Sequence, residues 1–288
     1  MPTSPRTPCG LNPAYSPRAG SGAAPKPTDL SETIKKASQH PLLAVLDADV
    51  LTTVVRASKL TTFRAKRTFL KEGDPPQQAF CLLAGAVRVF HRSVDGNEVT
   101  VKLFRAPALF GEMEVLAGRP FMEYVTTLEA SDILLVPASV ILKLVKTQRA
   151  FAEAMAVDLS LRLCIATHNE RALAFCDVDT RLANLLVDYA ELAGEPSGPS
   201  EIRITVPLTG DSMARDLAVS RKSMVRALAK LEELKLASKK EGRFVITDLE
   251  GLRRRGSGTL GLTYKLAPGA PGAQAQAKTQ KTQIDTDS

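Results

Sequence analysis

The stretch Thr209-Gly-Asp-Ser-Met-Ala-Arg-Asp-Leu-Ala-Val-Ser-Arg-Lys-Ser-Met-Val-Arg-Ala-Leu-Ala-Lys-Leu231 decides how the rest of this chain is read. Thr209 is a helix N-cap, and Asp211 stands at the positive end of the helix it opens. Ala214 is small where two helices must cross closely. A turn at Ala218-Val219 leads to Ser220, a second cap, beyond which Met224 and Leu228 lie one turn apart and face the first helix. The opposite face of the second helix carries Arg221, Lys222, Ser223 and Arg226 near its start. That is the spacing of a helix-turn-helix, whose second helix needs donors on its N-terminal turns to reach base edges in the major groove. Arg221 is expected at guanine O6 and N7, and Lys222 at the same acceptors or a phosphate.

Downstream, Lys239-Lys240-Glu241-Gly242-Arg243-Phe244-Val245-Ile246 reads as a basic turn between two short strands. Such a wing places Lys239, Lys240 and Arg243 to touch phosphate. Charge collects in this part of the chain. Thr209 to Arg255 holds twelve basic and seven acidic side chains, a net +5. The whole chain of 288 residues has 38 Lys+Arg against 31 Asp+Glu, a net +7. Arg6, Arg18 and Lys26 give the N-terminal lead +3, so the remainder nets −1. A helix-turn-helix pattern alone also fits a plain helical corner; the wing and the local charge turn the reading toward DNA.

Upstream, RLANLLVDYAEL is amphipathic and stops at Ala193-Gly194, and IRITVPL alternates like a strand. From Arg149 to Leu173, Phe151, Met155, Leu159, Leu163 and Ala166 recur at four-then-three spacing, widened by Ala154, Val157, Leu161 and Ile165. This predicts a helix of about 25 residues with more apolar surface than a lone solvated helix carries. Two readings are open. The helix packs wholly on its own domain, or it also pairs with its counterpart in a second copy of the chain, along Phe151, Met155, Leu159 and Leu163.

Residues 60–137 read as short strands between turn signals. FRAKRTFL runs to Glu72-Gly73-Asp74-Pro75, AFCLL reaches Gly85, and VRVFH passes through Val94-Asp95-Gly96-Asn97 into VTVKLF. Asp-Gly between two alternating apolar runs is a strong hairpin signal, because the turn needs positive φ. YVTTLEA and DILLVP add two strands. Many short antiparallel strands at this spacing imply a jelly roll.

Composition narrows the function classes. At 44% hydrophobic and 24% charged, the chain resembles an average soluble domain. The longest uncharged apolar run, Ile133 to Leu142, falls well short of the roughly 18 residues of a membrane span, so no membrane partner is expected. The N-terminal lead is rich in Pro, Ala and Gly, unlike a signal peptide, and the cytoplasm is the expected compartment. Met1 to Thr28 and the chain after about Gly256 are low in large apolar residues and are expected to be disordered. Cys9, Cys81, Cys164 and Cys176 form no CxxC pair, which disfavours disulfide, zinc and iron–sulfur frameworks. His40, His91 and His168 make no His-x-His, and no Ser-His-Asp or Cys-His arrangement is visible. No catalytic residue or metal ligand is nominated, and an enzyme is not expected.

The order jelly roll, long helix, winged helix-turn-helix resembles the cyclic-AMP receptor protein / fumarate–nitrate reduction regulator (Crp/Fnr) family of bacterial transcription factors, over about Leu42 to Leu252. Leu173-Ala174-Phe175-Cys176-Asp177-Val178 leading into Arg181-Leu182-Ala183 looks like the family's hinge, with Phe175, Cys176 and Asp177 as the pivot. Leu217-Ala218-Val219-Ser220-Arg221 and Phe110-Gly111-Glu112 are the next most specific pieces, the latter similar to the opening of the family's phosphate-binding cassette. In cyclic-AMP-binding members the Gly-Glu pair is followed about ten residues later by Arg-Ser or Arg-Thr. Here Phe121 and Met122 fall at those positions, and an apolar pair does not hold a phosphate charge. The resemblance makes Gly111, Glu112, Phe121, Met122 and Thr167 the candidate ligand-pocket residues. The chain also departs from the oxygen-sensing branch, since Cys9 alone cannot hold a cluster. Among haem ligands only His168 on the long helix is placed to be considered. An acid often stands in relatives where this chain has Lys222, which implies a different operator.

The expected architecture is α+β. A disordered tail (1–28) precedes a cyclic-nucleotide-binding-like jelly roll (29–148), a dimerisation helix (149–175), a winged helix-turn-helix (176–255) and a second tail (256–288). The expected function is a homodimeric transcription regulator on palindromic double-stranded DNA, with contact to RNA polymerase left open. Its jelly roll senses a small ligand or acts without one. The alternatives are a cyclic-AMP or cyclic-GMP response through a rearranged pocket, and a nucleotide-sensing subunit that never touches DNA.

Overall fold

Three short helices open the fold in the computed structural model: α1 (Leu30–Ala37), α2 (Pro41–Ala44) and α3 (Ala48–Ala57). The structure describes residues 30–256 except 97, 199, 207 and 241, and omits the side chains of His168 and Asn169. The expectations for the two tails, for Cys9 and for the His168 side chain fall outside the described residues.

Eight strands follow: β1 (Lys59–Phe63), β2 (Thr68–Leu70), β3 (Gln78–Ala84), β4 (Ala86–Arg92), β5 (Glu98–Arg105), β6 (Ala108–Phe110), β7 (Tyr124–Thr127) and β8 (Ser131–Pro137), with α4 (Glu112–Ala117) between β6 and β7. They form two antiparallel sheets, β1-β8-β3-β6 and β2-β7-β4-β5. The Asp95-Gly96 hairpin joins β4 to β5, Gly96 taking φ +83°. Leu70, Phe80, Leu82, Val87, Val89, Phe104, Phe110, Val125 and Ile133 fill the space between the sheets. Phe80 stacks on Phe110 at 5.3 Å and Phe104 on Phe110 at 5.5 Å. This is the jelly roll that the strand spacing implied.

Strand β3 is buried on both faces. Phe80 and Leu82 point into the roll, whereas Ala79, Cys81 and Leu83 join a second core under α1, α2 and α3. That core is completed by α5 (Ala138–Thr147) and by the first turns of α6 (Arg149–Phe175). Here the pairing face expected for the long helix needs correction. Phe151 is 0% and Met155 2% exposed, both packed with Leu42, Leu109 and Ile141 in their own domain, and Leu159 leans on the same core. Burial there removes both from any face offered to a second chain. Leu163, 68% exposed, begins the open half of the helix.

The third unit contains α7 (Val178–Ala193), β9 (Gly194–Pro196), β10 (Ile202–Ile204), α8 (Gly210–Asp216), α9 (Arg221–Glu233), β11 (Ala237–Lys240), β12 (Arg243–Ile246) and α10 (Leu249–Arg255). Its strands pair in the order β11-β12-β10-β9. Leu182, Leu186, Met213, Met224, Ala227, Leu231 and Ile246 are buried in one cluster that extends to Ala86 and Leu103 of the jelly roll. Among the described residues no helix is long and apolar enough to cross a membrane.

Gly85, between β3 and β4, holds φ +91°, and a Cβ there would lie 2.3 Å from Ser131 Oγ and 2.6 Å from the Ala130 carbonyl oxygen. Both the backbone conformation and the space exclude a side chain. Gly85→Ala is expected to cost about 2–4 kcal/mol in a denaturant titration. Gly73→Ala, at φ +85° with open space around it, is expected to cost only about 1 kcal/mol.

Candidate functional site

The reading unit is fixed by its caps. Thr209 accepts from the Ser212 N–H while Ser212 Oγ accepts from the Thr209 N–H, a reciprocal box that starts α8. The chain then reverses at Ala218, a non-glycine residue held at φ +52°. Ser220 accepts from the Ser223 N–H and starts α9. Met224, Ala227 and Leu231 point inward and are buried. Arg221, Lys222 and Arg226 point outward and are exposed. Ser223 is half-buried, and its hydroxyl lies 2.9 Å from that of Ser220 in the cap.

Arg221 is not a free side chain. Its Nε donates to Asp211 Oδ1 at 2.6 Å and its Nη2 to Asp211 Oδ2, a two-pronged pair between the starts of α8 and α9. Sequence placed Asp211 as a partner of the helix dipole; the structure adds the guanidinium. One edge of the exposed Arg221 guanidinium is thereby engaged by a tether that water weakens, and its second edge, Nη1 with the remaining Nη2 hydrogen, can still serve another acceptor.

The wing is formed by β11 and β12, with Gly242 at φ +77° in the turn. Lys239 is exposed. Lys240 pairs with Glu201 at 2.6 Å, and Arg243 donates to the Thr205 carbonyl oxygen. Both are exposed, so these contacts are weak tethers in water rather than locks.

A buried carboxylate ties this unit to the jelly roll. Asp216, the last residue of α8, accepts from Tyr189 Oη on α7 at 2.9 Å and from Thr100 Oγ1 on β5. The Arg88 guanidinium on β4 lies 3.2 Å away and also binds Glu98 at 2.8 Å. Burial beside this anion pushes the Tyr189 phenol well above its usual value. Arg105 reaches the Leu192 carbonyl oxygen across the same junction. A cavity of about 390 Å³ lies beside it, lined by Val101, Lys102, Ile165, Leu173, Leu185 and Leu217.

Of the ligand-pocket candidates, Gly111, Glu112 and Phe121 lie together in the interior, while Met122 and Thr167 are exposed. Gly111 takes φ +79° and opens α4, and a Cβ there would press on Phe80 and Phe121. Phe121 is buried in the core of the roll, while Met122 is 59% exposed. Thr167 is exposed and donates back to the Leu163 carbonyl oxygen. The departure has a simple cause: apolar Phe121 is worth more inside the roll than facing a charged ligand. Glu112, fully buried, accepts from Arg162 Nη1 at 2.6 Å. Arg162 also reaches Asp158 at 2.8 Å and the Leu109 carbonyl oxygen at 2.9 Å. Burial raises the Glu112 carboxyl above its usual range and Arg162 opposes that rise. Sequence reading missed Arg162 and Asp158. The available signal was an acid–base pair four residues apart inside an apolar stripe, which is wasteful unless a buried partner meets it. The hinge residues sit where α6 gives way to α7: Phe175 ends one helix, Cys176 is extended, and Asp177 caps the other by accepting from the Thr180 N–H.

Two outcomes follow from the sensor side. Arg162→Met leaves buried Glu112 and Asp158 without their cation and is expected to cost about 3–5 kcal/mol, whereas adding Glu112→Gln to it recovers part of the loss in the same denaturant titration. Separately, burial and the nearby carboxylates of Glu123 and Glu112 push the Glu114 carboxyl up to about 7. The folded chain therefore holds this proton more tightly than the unfolded chain, and stability falls as pH rises from about 4.5 through 7. Glu114→Gln is expected to raise the thermal midpoint at pH 8 and to leave it unchanged at pH 4.

Comparison with known proteins follows the same division. Residues 60–148 match the cyclic nucleotide-binding domain and residues 180–255 the Crp-like helix-turn-helix domain. The chain is 27% identical over 180 residues to the global nitrogen regulator of Synechococcus elongatus, covering 62% of this chain and 81% of that one. It is 25% identical over 193 residues to the CRP-like cAMP-activated global transcriptional regulator of Mycobacterium tuberculosis, covering 67% and 86%. In fold it is similar to a CRP/FNR-family transcriptional regulator from Thermus thermophilus, with a TM-score of 0.59 at 21% identity, covering 70% of this chain and 100% of that one. With a cyclic nucleotide-binding domain followed by a Crp-like helix-turn-helix domain, and with these relatives covered over most of their length, the chain belongs to the Crp/Fnr family of transcription regulators.

Proposed function

We propose that the chain works as a homodimer that reads a palindromic DNA operator and alters transcription there. The observation that carries this reading is the outer face of α9, where Arg221, Lys222 and Arg226 stand exposed on a helix whose opposite face is fully committed to packing. The wing beside it adds exposed Lys239. Pairing of two chains through α6 would set their recognition helices about 34 Å apart, one turn of the duplex. The pairing face we propose is Ala156, Ser160, Leu163 and Thr167, all exposed at four-then-three spacing, in place of Phe151 and Met155. A change at the sensor would reach the reader through α6 and pivot it at Phe175–Asp177, shifting a balance between arrangements. Activation would add RNA polymerase as a further partner.

For the sensor we propose action without a cyclic nucleotide held as the family's cassette arginine holds it, because Phe121 belongs to the core and Glu112 already has a cation. A second reading has its own support. Arg162 supplies a buried positive charge at the cassette, and Glu112 Oε2 is buried with no hydrogen-bond partner, a vacant acceptor for a ribose hydroxyl. One relative carries cAMP activation in its name. Calorimetric titration with cyclic AMP and cyclic GMP, beside DNA affinity with and without each, separates the two. Saturable heat with either nucleotide establishes the second reading; no heat and no change in affinity leave the first.

On the reader, Arg221→Ala is expected to cost about 1–3 kcal/mol on the preferred duplex and to relax its sequence preference. An equal loss on random duplex would reassign Arg221 to phosphate. Asp211→Ala removes a negative charge but frees the Arg221 side chain. It is expected to leave random-duplex affinity unchanged or raised while lowering the ratio of specific to random binding, read by fluorescence anisotropy at fixed salt.

A further inference from the structure

The outer face of α9 holds one side chain that neither packing nor charge accounts for. Val225 is 60% exposed and stands outside the hydrophobic cluster that Met224, Ala227 and Leu231 enter from the other side of the helix. Helical spacing places it one turn beyond Arg221 and Lys222 and beside Arg226, so it is an aliphatic group set within three cations. Helix propensity does not select it either, because a β-branched side chain on an exposed helical position is less favourable than alanine by several tenths of a kcal/mol.

A surface of this charge, complementary to a polyanion, limits what can cover an apolar group at its centre. In the major groove the one apolar feature on a base edge is the C5-methyl group of thymine. Valine suits such a contact. Its χ1 is already restricted by branching, so little rotamer freedom is lost when it is held against the methyl group. Leu228 and Ala229, farther along the helix, offer no equivalent, the first being half-buried and the second too short to reach past its neighbours.

We propose that Val225 is a specificity-determining residue that contacts the C5-methyl group of one thymine in each half-site, between the bases or phosphates met by Arg221, Lys222 and Arg226. The proposal rests on the DNA-reading assignment above and adds a base to it. Replacing thymine by deoxyuridine removes that methyl group and preserves base pairing, which isolates the contact.

The experiment selects a preferred duplex from a random library with the full-length chain. It then substitutes deoxyuridine at each thymine in turn and measures affinity for the wild-type chain and for Val225→Ala. The expected result is one thymine per half-site whose replacement weakens wild-type binding about fourfold, the worth of one buried methyl group. Val225→Ala should lose a similar factor on the thymine duplex and nothing more on the deoxyuridine duplex. Val225→Ala keeps the helix, which its circular dichroism melt verifies. The proposal is overturned if no deoxyuridine substitution weakens wild-type binding, or if Val225→Ala loses as much on the deoxyuridine duplex as on the thymine duplex. Selection that enriches no sequence would overturn the DNA-reading assignment itself, and this proposal with it, and so is distinguishable from the failure of Val225 alone.

Discussion

A carboxylate taken out of water must be met by donors, and Asp216 is where this chain meets that demand. Its oxygens are served from three directions: Tyr189 on α7, Thr100 on β5 and Arg88 on β4. Both strands belong to the jelly roll and the helix to the reading unit. The position of α8 is thereby defined against both. Since α9 follows α8 through the fixed turn at Ala218, the outer face of the recognition helix is oriented by the same buried charge. Loss of one donor would leave the anion partly unserved in a poor dielectric, a far larger cost than loss of an exposed pair such as Lys240–Glu201.

The jelly roll uses its charges in a second way. Glu112, Asp158 and Arg162 form a buried group across α4 and α6, with the Leu109 carbonyl oxygen as a fourth member. In a roll whose interior is otherwise apolar, this group ties the long helix to the cassette by geometry as well as by apolar contact. The two buried networks serve different junctions of the sensor. One holds α6 to the roll and the other holds the reading unit to it.

Local chemistry in the sequence was enough for much of this. Thr209 and Ser220 as caps, Gly96 in the hairpin and Gly242 in the wing are decided by neighbours a few residues away, and the structure places them as expected. The face of α6 was not decided locally. An apolar stripe states that something must cover it, not what, and both an intrachain core and a second helix satisfy the same spacing. Phe151 and Met155 went to the core because α2, from far earlier in the chain, packs over them beside the adjoining α5. Arg162, Arg88 and Asp216 were missed for the same reason: each owes its role to a partner at least fifty residues distant. The Arg221–Asp211 pair spans only ten residues but crosses a turn, so its geometry depends on the positive φ of Ala218.

The division of α6 at Arg162 has a mechanical side. Up to that residue one face of the helix is embedded, and from Leu163 to Phe175 most of its surface is open. Thirteen further residues at 1.5 Å each project about 20 Å beyond the last embedded side chain. In the proposed signalling such a segment would act as a lever about the Glu112–Arg162 contact. A tilt of about 5° there carries the far end through roughly 2 Å, enough to exchange one set of side-chain contacts for another at the junction with α7. If the sensor signals through α6 as we propose, small rearrangements around the cassette would be enlarged by the length of the helix before they reach the hinge.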